Sequence, residues 1–186
     1  MIILASNSPR RKELMEKYIT KDFLVVPSQI EEISNPNLSP IENTLNIAKQ
    51  KGESIFKLYP EDIVISCDTI VYIDNKIYGK PKDKNDAYHM LKELSDKKHY
   101  VATAYWIFSK DKIVSSYVVS KVKFFSLNDK TINEYIATGS PFDKAGGYGI
   151  QDDYAKNIVK SYEGSLSNII GYPYEEIKKA LEGLNN

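Results

Sequence analysis

The sequence predicts one α/β domain. Two observations lead there. Apolar runs of strand length alternate along the chain with longer stretches whose apolar residues recur at helical spacing. No Pro-, Gly- or Ser-rich linker and no shift in composition divides them. A chain of 186 residues can build one sizeable domain, or fold into two small lobes around a cleft.

Ile2-Ile3-Leu4 reads as a short buried strand. Ser8 suits a helix N-cap and Pro9 the first helical position, so a helix follows, with Leu14 and Tyr18 on one face. Strand, small polar turn and helix start make an anion site, because free N–H groups and the positive dipole end point outward. Arg10 and Arg11 add bidentate donors suited to phosphate. The same residues also suit an ordinary strand-to-helix turn with a solvated basic start.

Phe23 to Val26 reads as a second strand, followed by a polar loop carrying Ser28, Glu31 and Glu32. Adjacent carboxylates there could hold a metal or simply face solvent. Ser39-Pro40-Ile41-Glu42 is a capping box. It opens a helix with Ile41, Leu45, Ala48, Gly52 and Ile55 as its apolar stripe, and Lys51 at the stripe's edge as a surface lysine.

Ile63 to Ser66 reads as a strand, ended by Cys67-Asp68-Thr69. Ile70 to Ile73 and Lys76 to Tyr78 form a hairpin about Asp74-Asn75. Asp68 interrupts two apolar segments, and an unpaired buried carboxylate is costly, so it is either satisfied structurally or kept for chemistry. Cys67 reads as a small buried residue. Gly79-Lys80-Pro81 is a stiffened loop, and Asp83 caps a helix with Ala87, Met90, Leu91 and Leu94. His99 to Phe108 and Ile113 to Phe125 are two long strands joined at Lys110 to Lys112. Asn128 opens a helix bearing Ile132, Tyr135 and Ile136. The glycine-rich stretch from Ala137 to Gln151 is a binding loop or a flexible surface loop. A strand end, a glycine turn and one or two helices complete the chain, the last starting at Pro173.

Lys+Arg and Asp+Glu are both 25, which argues against a nucleic-acid-binding surface. One cysteine permits no internal disulfide, no apolar run approaches the ~20 residues that span a bilayer, and no signal peptide is present; a cytoplasmic protein without a membrane partner is expected. With two histidines and one cysteine, a metal would be held mainly by carboxylates.

Leu4 to Arg11, Asp68-Thr69, Gly79-Lys80-Pro81 and Asp143-Lys144-Ala145-Gly146 stand in the order seen in the Maf family. Gly164-Ser165 and Ser167 to Gly171 with Pro173 resemble its C-terminal signature, so the resemblance covers essentially the whole chain as a single domain, 1–186. It implies an ITPase-like fold, a mixed sheet flanked by helices with two lobes around a central cleft. It also implies a cytoplasmic homodimer that hydrolyses nucleoside triphosphates to the monophosphate and pyrophosphate with a divalent cation, Mg²⁺ or Mn²⁺. By the same resemblance Ser8, Arg11, Lys51 and Lys80 bind substrate phosphates, Glu32 and Asp68 hold the metal, and Asp68 is the proton acceptor. Arg10, Thr69 and Gln151 match the specificity set of the dTTP/UTP branch. Same-fold alternatives act on 7-methyl-GTP or other modified nucleotides, and a non-enzymatic septum-formation regulator is the other alternative. Ser140 stands where the family commonly has glutamate, and Gly52 where alanine is common.

Overall fold

The computed structural model describes residues 1–184. The architecture is mixed α/β: a seven-stranded sheet flanked by helices. In chain order the strands are β1 (Ile2–Leu4), β2 (Leu24–Val25), β3 (Ile63–Ile73), β4 (Lys76–Tyr78), β5 (Lys98–Phe108), β6 (Ile113–Phe124) and β7 (Val159–Glu163). The helices are α1 (Pro9–Tyr18), α2 (Pro40–Phe56), α3 (Lys84–Leu94), α4 (Asp129–Ala137), α5 (Leu166–Ile170) and α6 (Tyr174–Glu182). The strand order is β2-β1-β3-β5-β6-β7, with β4 paired to β3. β1 lies parallel to both β2 and β3, whereas β3–β4 and β6–β7 are antiparallel. Among the described residues no helix is long and apolar enough to cross a membrane.

The chain divides into two compact units, and β3, β5 and β6 each begin in one and end in the other. The first comprises residues 1–69, 102–118 and the stretch from Gly171 onward. Its strands carry an apolar layer on each face, as period-2 alternation dictates. Leu4, Ile65, Cys67, Tyr105 and Ile107 pack with Met15 of α1 and Ile177 of α6. Ile3, Ala5, Val64 and Phe108 pack with Ile55 of α2. The second unit, 70–101 and 119–170, has one core, in which Val71, Val101, Val122 and Phe124 meet Leu91 of α3 and Ile132 and Tyr135 of α4.

Local chemistry explains most helix starts. Ser8 accepts the Arg11 N–H ahead of Pro9. Ser39 and Glu42 complete both halves of the capping box. Asp83 and Asn128 cap α3 and α4 through the N–H groups of Asp86 and Thr131.

Four expectations shift. β3 is one continuous eleven-residue strand, so Asp68 lies inside it rather than between two. The second strand shrinks from Phe23–Val26 to two exposed residues at a sheet edge. α1 buries Met15, while Tyr18 is exposed and stacks on Tyr174 with ring centroids 4.0 Å apart. On α2 the buried face runs through Asn43, Thr44, Ile47, Ala48, Gly52 and Ile55, because the Asn43 amide bonds back to the Asn35 and Leu38 carbonyls.

Candidate functional site

β3 builds the site. Alternation puts Val64, Ser66 and Asp68 toward α2, and Ile65, Cys67 and Thr69 toward α1 and α6. On the α2 side, the buried Ser66 hydroxyl donates to the Ala48 carbonyl at 2.7 Å and fixes the phase of helix against strand. Lys51 lies one turn beyond Ala48, about 4.5 Å along the helix, and Asp68 two residues beyond Ser66, about 6.7 Å along the strand. The lysine stem spans the difference, and Lys51 Nζ reaches Asp68 Oδ1 at 2.9 Å. The same ammonium lies 2.7 Å from Glu32 Oε1. Lys51 and Asp68 keep only 14% and 12% of their side-chain exposure, whereas Glu32 keeps 51%. The Glu32 contact therefore contributes little, about 0–1 kcal/mol. The pairing with Asp68 is the more buried arrangement: each charge would be costly to bury alone.

Gly52 follows Lys51 for a steric reason. A Cβ there would lie 2.2 Å from Phe108 Cε2 and 2.5 Å from Ser66 Oγ. The helix thus approaches β5 at the residue next to Lys51.

On the other side of β3, Arg11 is bound by several protein groups. Its Nε donates to the Gly171 carbonyl at 2.9 Å, Nη1 to Ser6 Oγ at 3.2 Å and the Cys67 carbonyl at 3.0 Å, and Nη2 to Thr69 Oγ1 at 3.1 Å. Four of the five guanidinium N–H groups are thereby used. Thr69 Oγ1 also lies 2.9 Å from the hydroxyl of the fully buried Thr103. Cys67 is wholly buried, and burial pushes its thiol up to about 11, which makes it a packing residue and not a nucleophile. Ser8 and Arg10 sit half-buried at the start of α1.

The second unit carries Lys80 and Gln151, both exposed. The Gly79 carbonyl accepts the Gly146 N–H at 3.0 Å, so the Lys80 loop is joined to the glycine-rich loop. That loop is ordered into two short 3₁₀ turns, Ser140–Asp143 and Ala145–Gly147. Gly146 has φ 71°, and a Cβ there would meet Val71 Cγ2 at 2.8 Å, so only glycine fits. Ser140 does not leave the loop without a carboxylate: its hydroxyl donates to Asp152 Oδ2 at 2.6 Å.

The structure therefore brings Glu32, Lys51 and Asp68 together on one side of β3, and Arg11 and Thr69 together on the other. Sequence reasoning missed Ser6, Thr103, Tyr135, Asp152 and the Gly171 carbonyl. The seryl, threonyl and backbone groups carry no local signal. For metal, Glu32 and Asp68 offer hard oxygen donors to a single point between them, occupied by Lys51 Nζ. Among the described residues no third histidine, cysteine or acidic side chain joins them. Such a pair fits a cation that keeps waters and shares substrate oxygens, as Mg²⁺ does.

Comparison with known proteins gives the chain a family. The profile of the family described as "Maf-like protein" matches residues 1–184. A Pyrococcus furiosus protein named dTTP/UTP pyrophosphatase is 44% identical over 181 residues, 97% of this chain and 94% of that one. Its namesakes from Fusobacterium nucleatum and Bacillus pumilus are 45% and 42% identical, covering 98% and 97% of this chain and 93% and 95% of theirs. Among solved structures, the Staphylococcus aureus Ham1 protein shares the fold, with a TM-score of 0.50 and 14% identity over 98% of both chains. With the family profile spanning nearly every residue, this chain belongs to the Maf family.

Proposed function

We propose that this protein is a nucleoside triphosphate pyrophosphatase that hydrolyses dTTP and UTP to the monophosphate and pyrophosphate. The observation that carries this reading is the near-full-length likeness, at 40% identity and above, to proteins bearing that name. The pairing of a largely buried carboxylate with a lysine at one strand position is the chemistry such a reaction needs.

In this reading Asp68 takes a proton from the attacking water, and the P–O bond between the α and β phosphates breaks with pyrophosphate as leaving group. Lys51 turns from the carboxylates to the phosphate oxygens, and Ser8, the first turn of α1 and Lys80 bind the remaining charge. Arg11 supplies its remaining N–H there. Glu32 and Asp68 would hold Mg²⁺ or Mn²⁺, which when bound neutralises phosphate charge and lowers the pKa of water. Gln151 accepts from N3–H of the base and donates to one carbonyl, while Arg10 or Thr69 donates to the other. Cytosine sets its amino donor against a donor and its unprotonated N3 against the Gln151 oxygen, two mismatches each costing about 1–3 kcal/mol. The protein acts as a single domain, in a cytoplasmic homodimer that needs neither nucleic acid nor membrane.

The test is pyrophosphate release from dTTP, UTP, CTP, GTP and 7-methyl-GTP at one Mg²⁺ concentration, repeated in excess chelator and after Mn²⁺ is restored. dTTP and UTP should give the highest kcat/KM, and chelation should abolish turnover. A tenfold advantage for 7-methyl-GTP or CTP would overturn the substrate, and full turnover without metal would overturn the metal's part.

A further inference from the structure

The hydroxyl of Tyr135 is bonded on both sides of Gln151. Tyr135 lies on α4 and is wholly buried. Its Oη accepts the Gly149 N–H at 2.9 Å and donates to Asp152 Oδ2 at 2.6 Å. The same carboxylate oxygen accepts the Ser140 hydroxyl at 2.6 Å. Ser140 Oγ, with its one proton committed, accepts from Lys144 Nζ at 2.9 Å. Lys144 also donates to the Ser140 carbonyl at 2.8 Å and to Asp143 Oδ1 at 2.8 Å. An ammonium and a backbone N–H only donate, and a carboxylate only accepts, so every proton direction in this chain of bonds is determined.

Packing alone does not call for this hydroxyl. A phenylalanine would fill the same space, and a buried hydroxyl is costly unless it is bonded. Here both bonds go to one four-residue stretch, at its first and last residues. The stretch is also pressed in place: a Cβ on Gly149 would lie 2.6 Å from Lys144 Cε and 3.0 Å from Asp152 Oδ2. Gln151 itself is exposed, held by what flanks it.

We propose that Tyr135, with Asp152, Ser140 and Lys144, is a positioning network that presents Gln151 to the nucleobase and so sets the preference of uracil and thymine over cytosine. The proposal rests on the reading above, in which Gln151 meets the base. Tyr135 touches no substrate; it fixes the backbone from which Gln151 projects. Removing its hydroxyl frees the 149–152 stretch and blurs the discrimination, because a loosely held amide can rotate to satisfy either base.

Two measurements on Tyr135→Phe test it. Backbone hydrogen exchange across residues 149–152 should quicken about tenfold or more while α4 keeps its protection. The ratio of kcat/KM for UTP to that for CTP should fall about five- to tenfold, the loss expected from one poorly placed hydrogen-bonding group. In a Gln151→Ala background the same substitution should leave that ratio unchanged. Unchanged exchange overturns the proposal. So does a ratio that holds while both substrates slow together, the mark of a structural role. Should Tyr135→Phe fail to fold, Ser140→Ala loosens Asp152 from its other side and is read the same way. Wild-type protein with no preference for UTP over CTP would sink the base-recognition reading itself, while the exchange data alone decide whether the clamp exists.

Discussion

Asp68 and Thr69 are neighbours in β3 and face opposite sides of it: Asp68 Oδ1 accepts Lys51 Nζ at 2.9 Å, while Thr69 Oγ1 accepts Arg11 Nη2 at 3.1 Å. One strand thus presents an acid to α2 and a hydroxyl to α1. In the proposed reaction the acid serves bond cleavage and the hydroxyl serves the base. Asp68→Asn should therefore lower kcat by about a hundredfold or more with little change in the UTP-to-CTP ratio. Thr69→Val should do the reverse. Steady-state kinetics of both variants on both substrates checks this, and near wild-type turnover by Asp68→Asn would remove it as the base.

Arg11 and Lys80 are both placed on phosphate by the family resemblance, yet their surroundings differ. Arg11 is tied to Ser6, Cys67, Thr69 and Gly171, whereas Lys80 is exposed on a loop. Arg11→Ala strands acceptors that water reaches poorly and should cost about 2–4 kcal/mol of stability as well as activity. Arg11→Lys should recover little of it, since a single ammonium cannot reproduce the fork. Lys80→Ala should stay within about 0.5 kcal/mol of wild type in denaturant melts while kcat/KM drops about tenfold or more. Equal melting behaviour of the two alanine variants would refute the distinction.

Gly52→Ala pits helix propensity against packing. Alanine in a helix interior gains about 1 kcal/mol over glycine. Here the added methyl would sit 2.2 Å from Phe108 and 2.5 Å from the Ser66 hydroxyl, and overpacking of that kind costs about 1–3 kcal/mol. The net effect should be destabilising, and relieved by Phe108→Leu in the same chain. Calorimetric melting of the single and double variants measures both terms.

Histidine 99 gives the protein an acid limit. It is fully buried, shares a 2.6 Å bond with the Tyr148 hydroxyl through Nε2, and meets the rings of Tyr148 and Phe124 edge-on. Its Nδ1 has no hydrogen-bond partner among the described residues. Burial lowers its pKa from 6.5 to about 3, so the folded protein keeps it neutral where the unfolded chain takes up a proton. Stability from this site is complete above pH 6.5 and declines as pH falls toward 3, by up to about 1.4 kcal/mol for each pH unit. His99→Gln, which can still bond Tyr148, should flatten the stability profile in that window. An unaltered slope in urea melts between pH 7 and 4 would exclude His99 as its source.

What was legible in the sequence was local. Ser8, Ser39, Asp83 and Asn128 announce their helices because a cap is satisfied within three residues. Asp68 stood out because a carboxylate is rare in an apolar run, though the run proved to be one strand. The face of α1 departs from the one the helical spacing predicts because Tyr18 finds its apolar contact on Tyr174, far along the chain. The contacts of Arg11 and the loop clamp of Tyr135 were invisible for the same reason: they join residues whose proximity only the folded sheet creates. Lys51 looked like a surface lysine, since nothing within its own helix reveals the carboxylate opposite it.

The bond from Arg11 to the Gly171 carbonyl closes a span of 160 residues. The unit that contains both is assembled from three separated stretches of chain, with the whole of the other unit interposed before the last. Closing so long a loop costs entropy before any contact repays it, and topologies rich in distant contacts fold slowly. On the ribosome, at about 5–20 residues per second, Ser8 and Arg11 emerge many seconds before Gly171. Arg11 is left without one of its anchors for all that time. The first residues of the site to be synthesised are thus among the last to be set in place, and a nascent chain stalled before residue 171 would lack the carbonyl that holds Arg11 Nε.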